Sequence, residues 1–466
     1  MMAPLMFGAL ILFMLIGFPV AFSLSAVGLF FAFIAIEEGF FTLTYLQNLP
    51  LSIFGIMSND LLLAIPFFTF MGAILERCGL AEDLLEGTGQ LFGGVPGGLA
   101  YAVVIVGAIL GAITGTVAAS VIAMGLISLP VMIRYGYSQR MATGVIAASG
   151  TITQVIPPSL VLIVLADQLG RSVGDMYKGA FGPSIAQVLL FMAYIFVMSR
   201  LKPHIMPPLP PEARTLHGWA LWGRVIWGMV PSVVLIFLVL GTIFLGLATP
   251  TEAGAMGAVG AMVLALLHGR LTWPLVRQAM ETTMRITAMV VFILIGSRVF
   301  SLVFQGVNGA EWIEEMLSHL PGGVVGFLIF VNIFVFFIAF FLDFFEIAFI
   351  IVPLLAPVAA AMGIDLIWFG VLLCVNMQTS FMHPPFGFAL FYLRGIAPPS
   401  IKSSEIYWGA LPWLGLQVIL VAILIFWPEM VTMWLDHGPT VDPNSVIIEL
   451  PTLDDFAAPP IPAPSQ

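Results

Sequence analysis

The decapeptide Gly150-Thr-Ile-Thr-Gln-Val-Ile-Pro-Pro-Ser159 recurs in altered form as Met377-Gln-Thr-Ser-Phe-Met-His-Pro-Pro-Phe386, and both copies lie inside apolar segments. The prolines that open the two pairs, Pro157 and Pro384, are 227 residues apart. Proline lacks a backbone donor and crowds the preceding turn, so two in succession break a helix. Broken backbone at membrane depth survives only where it is buried in protein or lines a cavity. Matched breaks in two halves of a chain point to the binding site of a secondary transporter.

The apolar setting extends to the whole chain of 466 residues, which is 60% hydrophobic and 9% charged, with a mean hydropathy of +1.09. This is the composition of an integral membrane protein. Apolar stretches near the ~20 residues a spanning helix needs occur at about 5–36, 50–75, 141–165, 181–200, 225–248, 250–267, 286–305, 366–391 and 410–435. The expected fold class is therefore an all-α polytopic membrane protein in the lipid bilayer. The first stretch lacks a basic leader and a small-residue cleavage site, so it reads as a retained helix. The basic loops at 134–140 and 200–224 are candidates for the cytoplasmic face. Much of the net charge of −10 sits near the C-terminus, in residues such as Asp442, Asp454 and Asp455. It points to no partner, and nucleic acid is not expected. Cys78 and Cys374 lack ligand spacing and read as packing residues. No Walker loop, HExxH, GxSxG or dinucleotide fingerprint occurs, which disfavours an ATPase or conventional hydrolase.

The offset of 227 also carries Leu129-Pro130 onto Ala356-Pro357 and Gly136 onto Gly363. With three more residues inserted, Tyr177-Lys-Gly-Ala180 matches Tyr407-Trp-Gly-Ala410 and Gln187 matches Gln417, while Val95-Pro-Gly-Gly98 resembles Leu320-Pro-Gly-Gly323. The chain thus contains two repeats, parallel or inverted. In each, two apolar pieces too short to span precede the broken helix, which suggests re-entrant hairpins with turns at 112–117 and 341–346. A Pro-rich linker at 201–218 separates the halves, and the segment 436–466 has too few bulky apolar residues to fold.

Hard cations take oxygen ligands, and half-helix ends in transporters supply them. Thr114, Gly115 and Thr116 at the first turn, facing Gly150, Thr151, Thr153 and Pro157, are candidates for one sodium site. Asp343, facing Gln378, Thr379, Ser380 and Pro384, is the candidate for a second. The alternative for the hydroxyls is that they only patch broken helices. Asp343 lies among Phe336–Leu342 and Phe344–Phe345, where a charge is costly and marks function; its other reading is a helix cap. Glu346 reads either as a site residue or as one reaching the interface. Glu252, in Thr249-Pro-Thr-Glu252, has capping-box spacing and is assigned a structural role. Thr153, His383 and Arg394 are candidates to face substrate. For His383 the alternative is a hydrogen-bonded core histidine, and for Arg394 a side chain that snorkels to the interface. A membrane-embedded enzyme would need Asp343, Glu346 and His383 to converge.

Gly111-Ala-Ile-Thr-Gly-Thr-Val-Ala-Ala119, Ile156-Pro-Pro-Ser159, Leu247-Ala-Thr-Pro-Thr-Glu-Ala-Gly254, Phe341-Leu-Asp343 and His383-Pro-Pro-Phe-Gly387 together resemble the DctM family, the large membrane subunits of tripartite ATP-independent periplasmic (TRAP) transporters. The resemblance implies inverted repeats, an elevator-type mechanism, and Na+ sites at hairpin tips and broken helices. It also implies a small four-helix membrane subunit and a periplasmic binding protein that delivers an organic acid, in a bacterial inner membrane. Thr114-Gly-Thr116 stands where the family commonly has Ser-Gly-Ser, and His383 replaces a hydroxyl. The linker and tail look like the branch associated with 2-oxo, hydroxy and aromatic acids. A stand-alone carboxylate symporter of similar architecture is the alternative. The implied organisation is scaffold helices at 1–89, a first repeat at 90–200 (hairpin 98–133, broken helix 141–165) and the linker. Central scaffold helices at 219–319, a second repeat at 320–435 (hairpin 324–361, broken helix 366–391) and the tail complete it.

Overall fold

The computed structural model describes residues 2–215, 218–318 and 320–435; the tail expected at 436–466 lies outside them. Among the described residues the chain is helical throughout, and eight helices are long and apolar enough to cross a membrane, or nine if one bent pair counts as a span.

The first apolar stretch is not one span. It forms α1 (Met2–Ile16) and α2 (Val20–Glu37), because Gly17 takes a left-handed φ of +92° and Pro19 follows it. Averaged hydropathy does not register such a turn. The stretch near 50–75 likewise bends by 46° between α3 (Asn48–Met57) and α4 (Ala64–Arg77). At that bend the Asn59 side chain accepts a hydrogen bond from the Leu61 backbone at 3.0 Å. The amphipathic α5 (Leu80–Phe92) follows.

The stretch expected as the first repeat then forms α6 (Gly98–Thr114), α7 (Val117–Arg134), α8 (Gln139–Thr151), α9 (Leu160–Gln168) and α10 (Val173–Leu201). Next come α11 (Gly218–Phe244), α12 (Pro250–Leu267), α13 (Trp273–Gly306) and α14 (Gly309–Ser318). Thr249 and Glu252 make the capping box that opens α12. After α15 (Gly323–Ile338), the short α16 (Phe344–Glu346) runs through a π-helical turn at Ile347–Ile351 into α17 (Val352–Ala361). The chain finishes with α18 (Leu366–Met377), α19 (Phe388–Ile396), α20 (Ser403–Phe426) and α21 (Glu429–Thr432). The continuous helix Phe344–Ala361 and α7 each have 18 residues and pass as spans by length and composition. The expectation that every hairpin arm falls short of spanning therefore fails for these two.

The residues of α8 from Met141 to Thr151 are all buried, packed by α6, α7 and α20. The crossing with α20 requires glycine: a Cβ on Gly144 would overlap the Gly409 carbonyl, and one on Gly409 the Arg140 carbonyl. In the other half, α18 packs against α10, where a Cβ on Gly179 would lie 3.1 Å from Ile367 Cγ2. Each broken helix thus rests on the last long helix of the opposite repeat. The Pro-rich segment between the halves is packed rather than loose. Ser138 donates its backbone N–H to Ile205 and Gly97 donates to Met206, both at 3.0 Å, while Leu209 donates to Gly93 at 2.8 Å. Met206 is fully buried, so the segment straps the base of the α6–α7 hairpin.

Candidate functional site

Each hairpin turn is shaped by its own sequence. Gly115, at φ +62°, ends α6 and lets Thr116 start the return. The Thr114 hydroxyl donates to Leu110 at 2.9 Å and sits 2.9 Å from the Ser120 hydroxyl, so it is bonded within its own hairpin. Its backbone carbonyl lies against α4, because a Cβ on Gly72 would overlap it. In the second hairpin the Asp343 carboxylate accepts from the Glu346 N–H at 2.9 Å, and Glu346 accepts from the Asp343 N–H at 3.0 Å. Asp343 is therefore a helix cap, and Glu346 its reciprocal partner rather than a residue reaching the interface.

The breaks are patched locally and joined to each other. Thr153 donates to the Gly150 carbonyl, Ser184 of α10 to the Val155 carbonyl at 3.0 Å, and Thr379 to Asn376 at 2.7 Å. The Thr151 hydroxyl receives hydrogen bonds from Gln378 Nε2 at 3.2 Å and Gln417 Nε2 at 2.9 Å. Thr151 and Gln378 are separated by the repeat offset of 227, so equivalent positions of the two halves touch.

Asn376 ties the second break to α15 through Asn332, donating to its carbonyl at 2.8 Å. His383 is buried between Phe340, with ring centroids 4.1 Å apart, and Phe336, at 4.3 Å. Neither of its ring nitrogens is hydrogen-bonded to a described protein group. Arg394 donates to the Ile401 carbonyl just beyond its own helix. Its guanidinium tethers the α19–α20 connection.

Between the two turns lies a cavity of about 240 Å³. The first turn lines it with Gly115 and Thr116, the second with Asp343, and the breaks with Gln154 and Phe381; Ile286 and Met289 of α13 face them. Of the expected site residues, only Gly115, Thr116 and Asp343 are on this lining. Thr114, Gly150, Thr151, Thr153, Gln378, Thr379, Ser380, His383, Pro384 and Arg394 are not, and Pro157 borders a separate groove. Sequence reasoning missed Gln154, Tyr392 and the two α13 residues. Gln154 was legible as a third polar side chain in the first break; nothing local marks Ile286 or Met289.

The cavity collects helix starts. Val117 and Ala118 open α7, Leu160 and Val161 open α9, Phe344 and Phe345 open the helix to Ala361, and Phe388 opens α19; all are lining residues. The unpaired N–H groups and dipoles of helix starts favour negative charge. Asp343 is the one ionisable carboxylate on the lining. Among the described residues no group of three or more His, Cys, Asp or Glu could hold a metal ion. The lining adds neutral oxygens in the Thr116 hydroxyl and in Gln154 Oε1, which is buried without a hydrogen-bond partner; Gln378 Oε1, Ser149 Oγ and Ser380 Oγ also lack partners but lie off the lining. This donor set fits a hard monovalent cation better than a transition metal.

Comparison with known proteins fits this arrangement. The C4-dicarboxylate TRAP transporter large permease protein DctM of Vibrio cholerae is 29% identical over 461 residues, covering 93% of this chain and 97% of its own. The 2,3-diketo-L-gulonate TRAP transporter large permease of Escherichia coli is 26% identical, covering 80% of this chain and 86% of its own. Among solved structures, the YdaH transporter of Alcanivorax borkumensis shares the fold with a TM-score of 0.59 at 16% identity, over 83% of this chain and 89% of that one. The profile of the family described as "Tripartite ATP-independent periplasmic transporter, DctM component" matches residues 7–430. The chain belongs to the DctM family of TRAP transporter large permeases.

Proposed function

We propose that this chain carries an organic acid across a bacterial inner membrane by sodium-coupled symport, through an elevator movement of the two repeats against the remaining helices. The observation that carries the reading is the cavity where both hairpin turns, both breaks and four helix starts meet. An anion there gains from the helix starts, and sodium offsets the Asp343 charge with the neutral oxygens as further ligands. Asp343 and Thr116 hold the cation at the cavity, with Gln154 Oε1 as a further oxygen on the lining. Sodium supplies the charge that lets a carboxylate enter a cavity whose lining has no Lys or Arg. No group on the lining forms or breaks a covalent bond in this scheme, in keeping with relatives that are permeases rather than enzymes.

Inversion of the repeats is part of this reading; a two-fold relation between them is supported by the Thr151–Gln378 bond between equivalent positions and by the packing of α8 on α20 and α18 on α10. Inversion is supported by charge: the first hairpin opens beside Arg134, Arg140 and Arg214, whereas residues 307–365 around the second carry no Lys or Arg, the asymmetry expected of opposite membrane faces. The relatives named for C4-dicarboxylate and 2,3-diketo-L-gulonate support an organic acid as substrate. By family, a small four-helix membrane subunit and a periplasmic binding protein complete the system. The test is uptake of labelled organic acid by proteoliposomes holding all three components. Uptake driven by an inward sodium gradient is expected, and uptake indifferent to that gradient contradicts the coupling.

A further inference from the structure

A second, larger cavity has no part in this scheme. It is a groove of about 510 Å³ between α10 and α11, walled by Phe181, Ile185 and Leu189 on one side and Phe237 and Leu240 on the other. Ala112 and Pro157 contribute to it from the first hairpin and the first break. Ser184 is the one lining residue with a polar side chain, and its hydroxyl is already bonded to the Val155 and Ala180 carbonyls. The groove offers water nothing to bind, and a polar cavity is what water requires.

We propose that this groove is a phospholipid site that holds one acyl chain, with the chain end against Pro157 and Ala112. Three observations converge on that occupant. Both walls are candidate membrane spans, and Ile185, Leu189 and Phe237 are 49%, 61% and 71% exposed, so the groove opens sideways into hydrocarbon. Along α10 it runs from Phe181 to Leu189, about 12 Å at ~1.5 Å per residue, against the ~15 Å of one leaflet's hydrocarbon. Its mouth carries interfacial chemistry: Trp434 packs on Phe181 with ring centroids 6.5 Å apart. Lys178, ion-paired with Asp175 at 3.7 Å, lies one turn nearer the start of α10. An indole and an ammonium at headgroup depth above an apolar slot suit a phospholipid. The helices leave this room because they approach near Gly174 and Ile243, where a Cβ on Gly174 would be 3.5 Å from Ile243 Cγ2. The bound chain thus separates α11 from the first break.

The proposal is tested with the full chain reconstituted in liposomes containing a trace of phosphatidylcholine with a photoactivatable diazirine near the end of one acyl chain. After photolysis, labelled residues are mapped by peptide mass spectrometry. Label at Ala112, Ile156 and Ile185 is expected at least ~3-fold above that at Phe30 and Phe33, which are exposed on α2, because a pocket holds a ligand where bulk lipid exchanges. Gly241→Phe fills the groove; a Cβ there meets nothing within 4 Å, so the variant folds and its label at those positions falls to the Phe30 level. Labelling no higher in the groove than on α2, or unchanged in Gly241→Phe, overturns the proposal. Loss of the label when a small membrane subunit is added assigns the groove to a protein helix and overturns it equally. Cys-free controls are unnecessary, since the diazirine inserts without regard to thiols.

Discussion

Replacing Thr151 by valine tests the junction of the two repeats. The Thr151 hydroxyl is the shared acceptor for Gln378 Nε2 and Gln417 Nε2, it donates to the Ala148 carbonyl at 2.8 Å, and all three side chains are fully buried. Oε1 of both glutamines already lacks a hydrogen-bond partner. Valine keeps the shape and removes the acceptor, leaving two buried amide donors unsatisfied at ~1–3 kcal/mol each, or about 2–6 kcal/mol together. Thr151→Ser keeps the hydroxyl and loses a methyl group, at a cost of about 1 kcal/mol. Adding Gln417→Leu to Thr151→Val removes one orphaned donor and recovers ~1–2 kcal/mol, since replacing both partners is nearly neutral. The assay is the unfolding free energy of the purified chain, titrated with denaturing detergent in mixed micelles. If Thr151→Val is as stable as Thr151→Ser, or if Gln417→Leu deepens the loss, the two hydrogen bonds do not hold the repeats together.

Gly72→Ala puts a methyl group into the Thr114 carbonyl, so it slows organic-acid uptake and destabilises by ~1–3 kcal/mol through overpacking; wild-type uptake and stability would show that α4 does not press on the first turn. Met206→Ser removes a fully buried side chain from the strap, costing ~1.5–3 kcal/mol and exposing residues 203–214 to limited proteolysis, read by fragment mapping. Glu252→Ala breaks the α12 capping box and lowers the midpoint of thermal unfolding while leaving sodium-dependent uptake in place; loss of the sodium dependence alone would give Glu252 a role in ion binding.

The breaks are legible in the sequence because their cause is local: Pro157-Pro158 and Pro384-Pro385 forbid a continuous helix whatever surrounds them. The same holds for the caps at Thr249 and Asp343, where the carboxylate three residues on completes the pattern. What escapes is set by distant partners. Gln378 and Gln417 meet at the Thr151 hydroxyl from the other half of the chain. His383 invites a hydrogen bond and is held by two phenylalanine rings instead. The strap escapes too, because Met206 and Leu209 are isolated apolar residues among prolines and show their burial only against the hairpin base. Ile286 and Met289 line the cavity from another part of the chain, and no spacing within α13 marks them.

Asp343 is where the account is most exposed, being the carboxylate shared by the second turn and the cavity. The direct measurement is the sodium dependence of organic-acid uptake in proteoliposomes containing this chain, its small membrane partner and its binding protein, compared between wild type, Asp343→Asn and Asp343→Ala. Asparagine retains a side-chain acceptor for the cap, so it preserves folding while removing the charge. Both variants are expected to need far more sodium for half-maximal uptake and to show a smaller Hill coefficient, with Asp343→Ala also less stable. An unchanged sodium dependence in both variants would contradict a cation held at the turn.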